Sequence, residues 1–267
     1  MGAISAFSTA VGALRRNAVL LGVAFAAALA NVAVTGVTLV LPPSVAALAS
    51  VTASGAALVV APLFVGGLLA MAHEGLDGPT GLATFTAGGR ANYLPILGAM
   101  VLLGVLVVAL GVAVSVAVLL VVGLLASTDA GVSGLALSAL VGLVGVLASS
   151  LILFVVQFYA PAIVVSDLEV GAAFQRSADL VRENPVSTLG YTAVLVVLGG
   201  VTGVAGVAVA VAGGAYESAE PMAPATPELG VGVLGVLVAV SVAVTTVVAA
   251  LAPTYQVAFY ADCLDEA

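Results

Sequence analysis

Residues 94–127 read LPILGAMVLLGVLVVALGVAVSVAVLLVVGLLAS, 34 positions without one Asp, Glu, Lys, Arg or His. A helix that faces water on one side needs a polar stripe, and this segment has none. About 20 such residues cross the hydrocarbon of a bilayer. The stretch is therefore a transmembrane helix, and its neighbours read the same way. Residues 18–41, 44–72, 132–165, 186–214 and 230–261 are further apolar blocks, each also free of charge. The predicted fold class is all-α: a polytopic membrane protein of six transmembrane helices in a single transmembrane domain over residues 1–267. A 34-residue helix is about 51 Å long at 1.5 Å per residue, against about 30 Å of hydrocarbon. The blocks must tilt, bend or protrude. Pro62, Pro161 and Pro253 are the expected bend points.

Composition agrees. The chain is 63% hydrophobic and 7% charged, where a soluble domain carries roughly 25% charged residues. Small residues dominate, including 31 Gly, and small side chains let membrane helices approach closely. Net charge is −8 with five Arg and no Lys, which suits a salty, halophilic cytoplasm; a GC-rich genome gives the same bias. Nucleic acid is excluded as a partner, since it requires clustered cations. The single cysteine, Cys263, excludes an internal disulfide and a cysteine-type zinc site.

The first block resembles a secretory signal, with Arg15-Arg16 before it and Ala28-Leu29-Ala30 as a cleavage mimic. A signal's apolar core runs 7–15 residues, however, and this one continues to Leu41, so a retained helix is expected. Orientation follows from arginine. Arg15, Arg16, Arg90, Arg176 and Arg182 all fall on one side of six spans, and the opposite loops hold Asp129, Glu217, Glu220 and Glu228. Both termini are predicted to be cytoplasmic in the cell membrane. Pro221, Pro224 and Pro227, at every third position, suit an extended polyproline-like strap.

A pattern recurs three times: Arg15-Arg16-Asn17, Arg90-Ala91-Asn92 and Arg182-Glu183-Asn184 each precede an odd-numbered span. Phe7, Leu82 and Phe174 lie eight residues before the first Arg, and Leu97-Gly98 and Leu189-Gly190 share a register. Ala61-Pro62, Ala160-Pro161 and Ala252-Pro253 fall in the even spans, with 71 residues from Arg90 to Pro161 and 71 from Arg182 to Pro253. This predicts three copies, approximately residues 5–75, 80–165 and 170–262, of a cytoplasmic interfacial amphipathic helix followed by a hairpin. Each Asn is expected to cap the start of the following span, with Pro185 at a first helical position. Ser166-Asp167-Leu168-Glu169 reads as a capping box. After it Val170, Ala173, Phe174, Ala178 and Val181 form an apolar face, opposite Glu169, Gln175, Arg176, Asp179, Arg182 and Glu183. The second copy's surface helix, residues 80–91, is Gly-rich and weaker.

The run Tyr159-Ala160-Pro161 through Ser166-Asp167-Leu168-Glu169, then Ala173-Phe174-Gln175-Arg176-Ser177 and Leu180-Val181-Arg182-Glu183-Asn184, resembles the membrane domain beside bacterial glycerophosphoryl diester phosphodiesterases. It is also similar to uncharacterised six-helix proteins of halophilic archaea. The likeness covers about 40 residues and implies no catalytic role, and no segment here could form the phosphodiesterase barrel.

Candidate chemistry is sparse. His73 is the only histidine, which removes triads and multi-histidine metal sites. With Glu74 and Asp77 it reads as a solvated helix end rather than a metal site. Glu74, Asp77, Asp167, Glu169, Asp262 and Asp265 give acidic ends to the even spans, again read as solvated. Cys263 reads as an inert, exposed thiol. The apolar blocks lack the ionisable groups that mark proton relays. Gln157 and Gln256, beside Pro161 and Pro253 with Tyr159 and Tyr255, read as interhelical hydrogen-bonding groups before cavity-lining ones. Gly199 and Gly203 make one GxxxG pair, weak among so many glycines. No catalytic, cofactor-binding or metal residue is assigned, and no cofactor is expected. The function read from sequence is a non-enzymatic membrane protein, scaffolding or lipid-interacting. Its partners are membrane lipids and a protein at the cytoplasmic face; the oligomeric state is not legible. A small-solute or lipid transporter is the alternative.

Overall fold

The computed structural model describes residues 2–126, 131–212 and 231–265. The acidic loop residues Asp129, Glu217, Glu220 and Glu228 and the Pro221, Pro224 and Pro227 strap lie outside the described residues. Among the described residues every regular element is helical. In chain order these are α1 (Ala3–Arg16), α2 (Ala18–Val40), α3 (Pro43–Asp77), α4 (Leu82–Ala91), α5 (Tyr93–Ala126), α6 (Gly131–Val156), α7 (Tyr159–Ser166), α8 (Val170–Glu183), α9 (Pro185–Ala212) and α10 (Val231–Asp265). Six stretches are long and apolar enough to cross a membrane: Ala18–Val37, Ser44–Asp77, Tyr93–Gly123, Ala136–Ser166, Pro185–Val211 and Gly232–Leu264. The chain is a multi-pass helical membrane protein.

Burial is concentrated at one end of the bundle. Leu20, Met71, Ile96, Phe158, Tyr191 and Tyr255 are all fully buried, and each lies within a few turns of a short helix. Toward the other end the helices stand with bare apolar flanks; Val105, Leu119, Leu147 and Val204 are each more than half exposed. The physical reason is length. At 1.5 Å per residue the 35-residue α3 and α10 exceed a bilayer's hydrocarbon by roughly 20 Å. Within lipid an apolar flank needs no protein cover. Beyond it, water forces apolar side chains into a core, at about 1.5–3 kcal/mol per large side chain buried.

The short helices close that core. α1 packs on α10, α3 and α9; α4 packs on α3; α8 packs on α7 and α6. Each makes an aromatic contact with a spanning helix: Phe7 with Tyr255 at 5.4 Å, Phe85 with Phe64 at 5.7 Å and Phe174 with Tyr159 at 5.4 Å between ring centres. Leu82, expected to match Phe7 and Phe174, is instead exposed, and Phe85 one turn on makes the contact. The glycines of α4 are contact points. An added Cβ at Gly89 would sit 2.6 Å from the Leu63 carbonyl oxygen, and one at Gly67 would sit 2.6 Å from that of Phe85. The two backbones come close because the glycine on one side of each contact carries no side chain.

Three expectations need correction. First, Asn17, Asn92 and Asn184 turn backwards: each Nδ2 donates to the carbonyl four residues earlier, of Ala13 (3.1 Å), Gly88 (2.9 Å) and Leu180 (3.5 Å). Asn17 makes no side-chain cap to α2. The amide satisfies the orphan carbonyls closing the short helix rather than the orphan N–H groups opening the long one. Pro185 does open α9.

Second, Ser166-Asp167-Leu168-Glu169 is a helix stop and not a capping box. Ser166 ends α7, Asp167 takes a left-handed conformation at φ 51°, and the Leu168 N–H reaches the Ala162 carbonyl at 3.4 Å. That bond closes the turn, with Asp in the left-handed conformation that favours glycine. Glu169 precedes α8 without a side-chain cap. Third, the buried face of α8 is Ala173, Ser177, Leu180 and Val181, with Phe174 half-buried at its edge. At the prolines, α3 and α10 run unbroken through Pro62 and Pro253, and a helix interruption falls at residues 157–158, just before Pro161.

Candidate functional site

The interruption between α6 and α7 creates a polar centre inside the packed end. Pro161 has no N–H to give the carbonyl of Gln157, four residues back, so that oxygen must be satisfied elsewhere. Gln256 Nε2 of α10 donates to it at 2.7 Å. Ser177 of α8, with no exposed surface, bridges the break from the other side. Its Oγ accepts from the Phe158 N–H at 3.0 Å and donates to the Val155 carbonyl at 2.8 Å. One hydroxyl thus replaces a missing helical link, which only a side chain carrying both a donor and an acceptor can do.

Around the break sits an aromatic box. Tyr191 lies 5.0 Å from Phe158, 4.8 Å from Tyr255 and 4.9 Å from Phe259; Phe158 stacks on Phe259 at 5.4 Å. Thr192 Oγ1 lies 3.2 Å from Gln157 Oε1 and 2.9 Å from the Thr188 carbonyl. One hydroxyl proton cannot serve two acceptors. Turning the Gln157 amide over resolves the conflict, because its nitrogen then donates to Thr192 while Thr192 donates to Thr188.

Four polar atoms of this region find no hydrogen-bond partner: the second amide position of Gln157, Thr188 Oγ1, Tyr191 OH and Tyr255 OH. Thr188, Tyr191 and Tyr255 have no exposed surface. With the amide turned, all four atoms are neutral oxygens. Their chemistry is hydrogen bonding; no acid, base or cation belongs to the set.

A second polar assembly ties α1 to the turn after α3. Asn17, 3% exposed, donates through Nδ2 to Gly75 O (3.1 Å) and Gly78 O (3.2 Å), and accepts from the Thr80 N–H at 2.9 Å. Arg16 donates to Leu76 O at 3.0 Å. Glu74 accepts from Thr80 Oγ1 and Thr84 Oγ1 at 2.6 and 2.5 Å, which locks the turn onto α4. This clasp is structural.

The residues singled out by sequence fall as follows. Gln157 and Gln256 are brought together; Tyr255 joins them, and Tyr159 lies outside against the Phe174 ring. His73, Glu74 and Asp77 are exposed, and among the described residues no three His, Cys, Asp or Glu side chains converge. Ser166 instead meets the Tyr260 hydroxyl at 2.8 Å. Arg176 and Arg182 make ion pairs with Glu183 (3.7 Å) and Asp179 (3.8 Å). Gly199 and Gly203 face open space. Cys263 is buried at 7%, not exposed. Sequence reading missed Ser177, Thr188 and Tyr191; a serine amid the apolar face of α8 was the one available signal.

Over residues 1–263 the chain matches the model of a domain of unknown function, DUF7847. The chain belongs to that family. No curated protein and no solved structure is detectably similar to it. The family match spans every helix that builds the packed end, from α1 through Cys263 near the close of α10.

Proposed function

We infer that this DUF7847 chain is a non-enzymatic integral membrane protein that organises lipid and a protein partner at its packed, cytoplasmic end. The observation carrying this reading is the division of the molecule. One end is a close-packed block of short helices and aromatic side chains, and the other presents bare apolar helices to lipid. The exposed face of α8, with Gln175, Asp179 and Arg182, is the surface offered to a partner. Native mass spectrometry from nanodiscs tests it, with retained lipid or a copurified protein expected. A retained water-soluble solute, with uptake of that solute into proteoliposomes, overturns the reading in favour of the small-solute form of the alternative, a small-solute or lipid transporter. The interrupted helix at 157–158 is the observation behind that second reading.

Orientation with both termini cytoplasmic belongs to the same proposal and rests on the arginines of α1, α4 and α8. In a Cys263→Ser background, Glu183→Cys should react with an impermeant maleimide only after lysis; reaction in intact cells refutes the orientation. The three-copy reading is supported by the order short, long, long helix occurring three times and by the three backward-turned asparagines. The copies also interlock in a ring. Gly98 of α5 faces Val170 at the start of α8, and Gly190 of α9 faces Ala3 at the start of α1. Val19, Gly22 and Val23 of α2 share a groove with Leu82 and Phe85 of α4. Descent from a halophilic lineage, and kinship with phosphodiesterase-associated membrane domains, are carried by composition and the resemblance above.

A further inference from the structure

We propose that the packed end encloses a hydration site, in which ordered water joins Gln157, Thr188, Tyr191 and Tyr255 at the α6–α7 break. Three observations converge. The four unpartnered polar atoms belong to neighbouring residues on three elements that meet at one place. Thr188 and Tyr191 are one turn apart on α9, the Tyr191 ring lies against that of Tyr255, and Gln256, next in chain, holds the Gln157 carbonyl. Each atom is buried, and leaving a hydroxyl or amide buried without a partner is costly, so natural proteins rarely do it.

The ligand class follows from the donors. Three hydroxyls can each give one proton and accept another, and the free amide position, with the Gln157 side chain turned, accepts. A neutral molecule with both donor and acceptor capacity matches this set, and water is the smallest molecule of that kind. Buried water makes about three hydrogen bonds to such otherwise unsatisfied groups.

The sign of a conservative substitution tests this. Tyr191→Phe, Tyr255→Phe and Thr188→Val each remove one hydroxyl and keep the shape. If the hydroxyls have no partner, each change relieves a buried polar group, and the unfolding midpoint stays or rises. If water links them, each change strands that water, and the midpoint falls by about 2–4 °C. Tyr260→Phe, which breaks the visible Ser166 contact, serves as the positive control. The second measurement is water-edited solid-state NMR of the wild-type protein in lipid, with magnetisation expected to pass from water to the Tyr191 and Tyr255 rings. A midpoint unchanged or raised in either tyrosine variant, or no transfer to the rings, overturns the proposal.

Discussion

Asn17→Ala should be among the most damaging single changes at the packed end, and it separates two accounts of the asparagine pattern. As N-caps, Asn17, Asn92 and Asn184 would be equivalent, each worth about 1 kcal/mol. The structure makes them unequal. The Nδ2 of Asn17 has two protons for three carbonyls, of Ala13, Gly75 and Gly78, which counts as two full bonds. Its Oδ1 adds the bond from the Thr80 N–H. Three bonds at about 0.5–1.5 kcal/mol each, at a buried site, give a loss of about 2–4 kcal/mol. Asn92 makes one bond, at 2.9 Å, so its replacement should cost about 0.5–1.5 kcal/mol. The 3.5 Å contact of Asn184 is at the limit of a hydrogen bond and should contribute under about 0.5 kcal/mol. The assay is built into the chain, because Cys263 is its sole cysteine and is buried. A thiol-reactive fluorogenic dye added during heating reports exposure of that residue. At about 2–4 °C per kcal/mol, Asn17→Ala should lower the midpoint by about 4–16 °C, with Asn92→Ala next and Asn184→Ala least. Three equal shifts, or Asn184→Ala exceeding Asn17→Ala, would refute the assignment of these side chains.

Gly89→Ala should destabilise by about 1–3 kcal/mol because its Cβ meets the Leu63 carbonyl, whereas Gly199→Ala and Gly203→Ala should be neutral or stabilising by up to about 1 kcal/mol; the same dye assay ranks them. Ser177→Ala removes both links across the 157–158 break and leaves the Phe158 N–H buried, so a loss of about 1–3 kcal/mol and faster exchange of that amide are expected. Phe174→Ser should free residues 170–183 to protease more than Arg176→Gln. The ring is half-buried against Tyr159, while the Arg176–Glu183 pair at 3.7 Å contributes at most about 1 kcal/mol; the reverse order would mean a specific polar partner holds α8.

Much of the architecture can be read directly from the chain, and the physics explains which part. A block such as residues 94–127 has one stable environment whatever surrounds it, so six spans follow from hydropathy alone. The short helices α1, α4 and α8, though not α7, are legible too, because arginine in the last turn is a local feature. Faces are less so. A helical stripe drawn from apolarity alone centred α8 on Phe174, whereas tertiary packing chose Ala173, Ser177 and Leu180, since a small serine fits where it can bridge two backbone groups.

Side-chain direction was decided by structure alone. An asparagine between two helices can serve the carbonyls behind it or the N–H groups ahead, and both are unsatisfied in sequence. At Asn17 the turn at Gly75 to Thr80 comes close enough to settle the choice, 58 to 63 residues away along the chain. The same holds for the interruption. Three prolines stand at similar positions, yet α3 and α10 continue through Pro62 and Pro253 while the helix parts before Pro161. Ser177 and Gln256 supply replacement bonds there from two other helices. A transmembrane span is specified by the local solvent preference of its own residues. A polar centre is specified by which distant groups arrive within 3 Å, and that depends on the packing of the whole bundle.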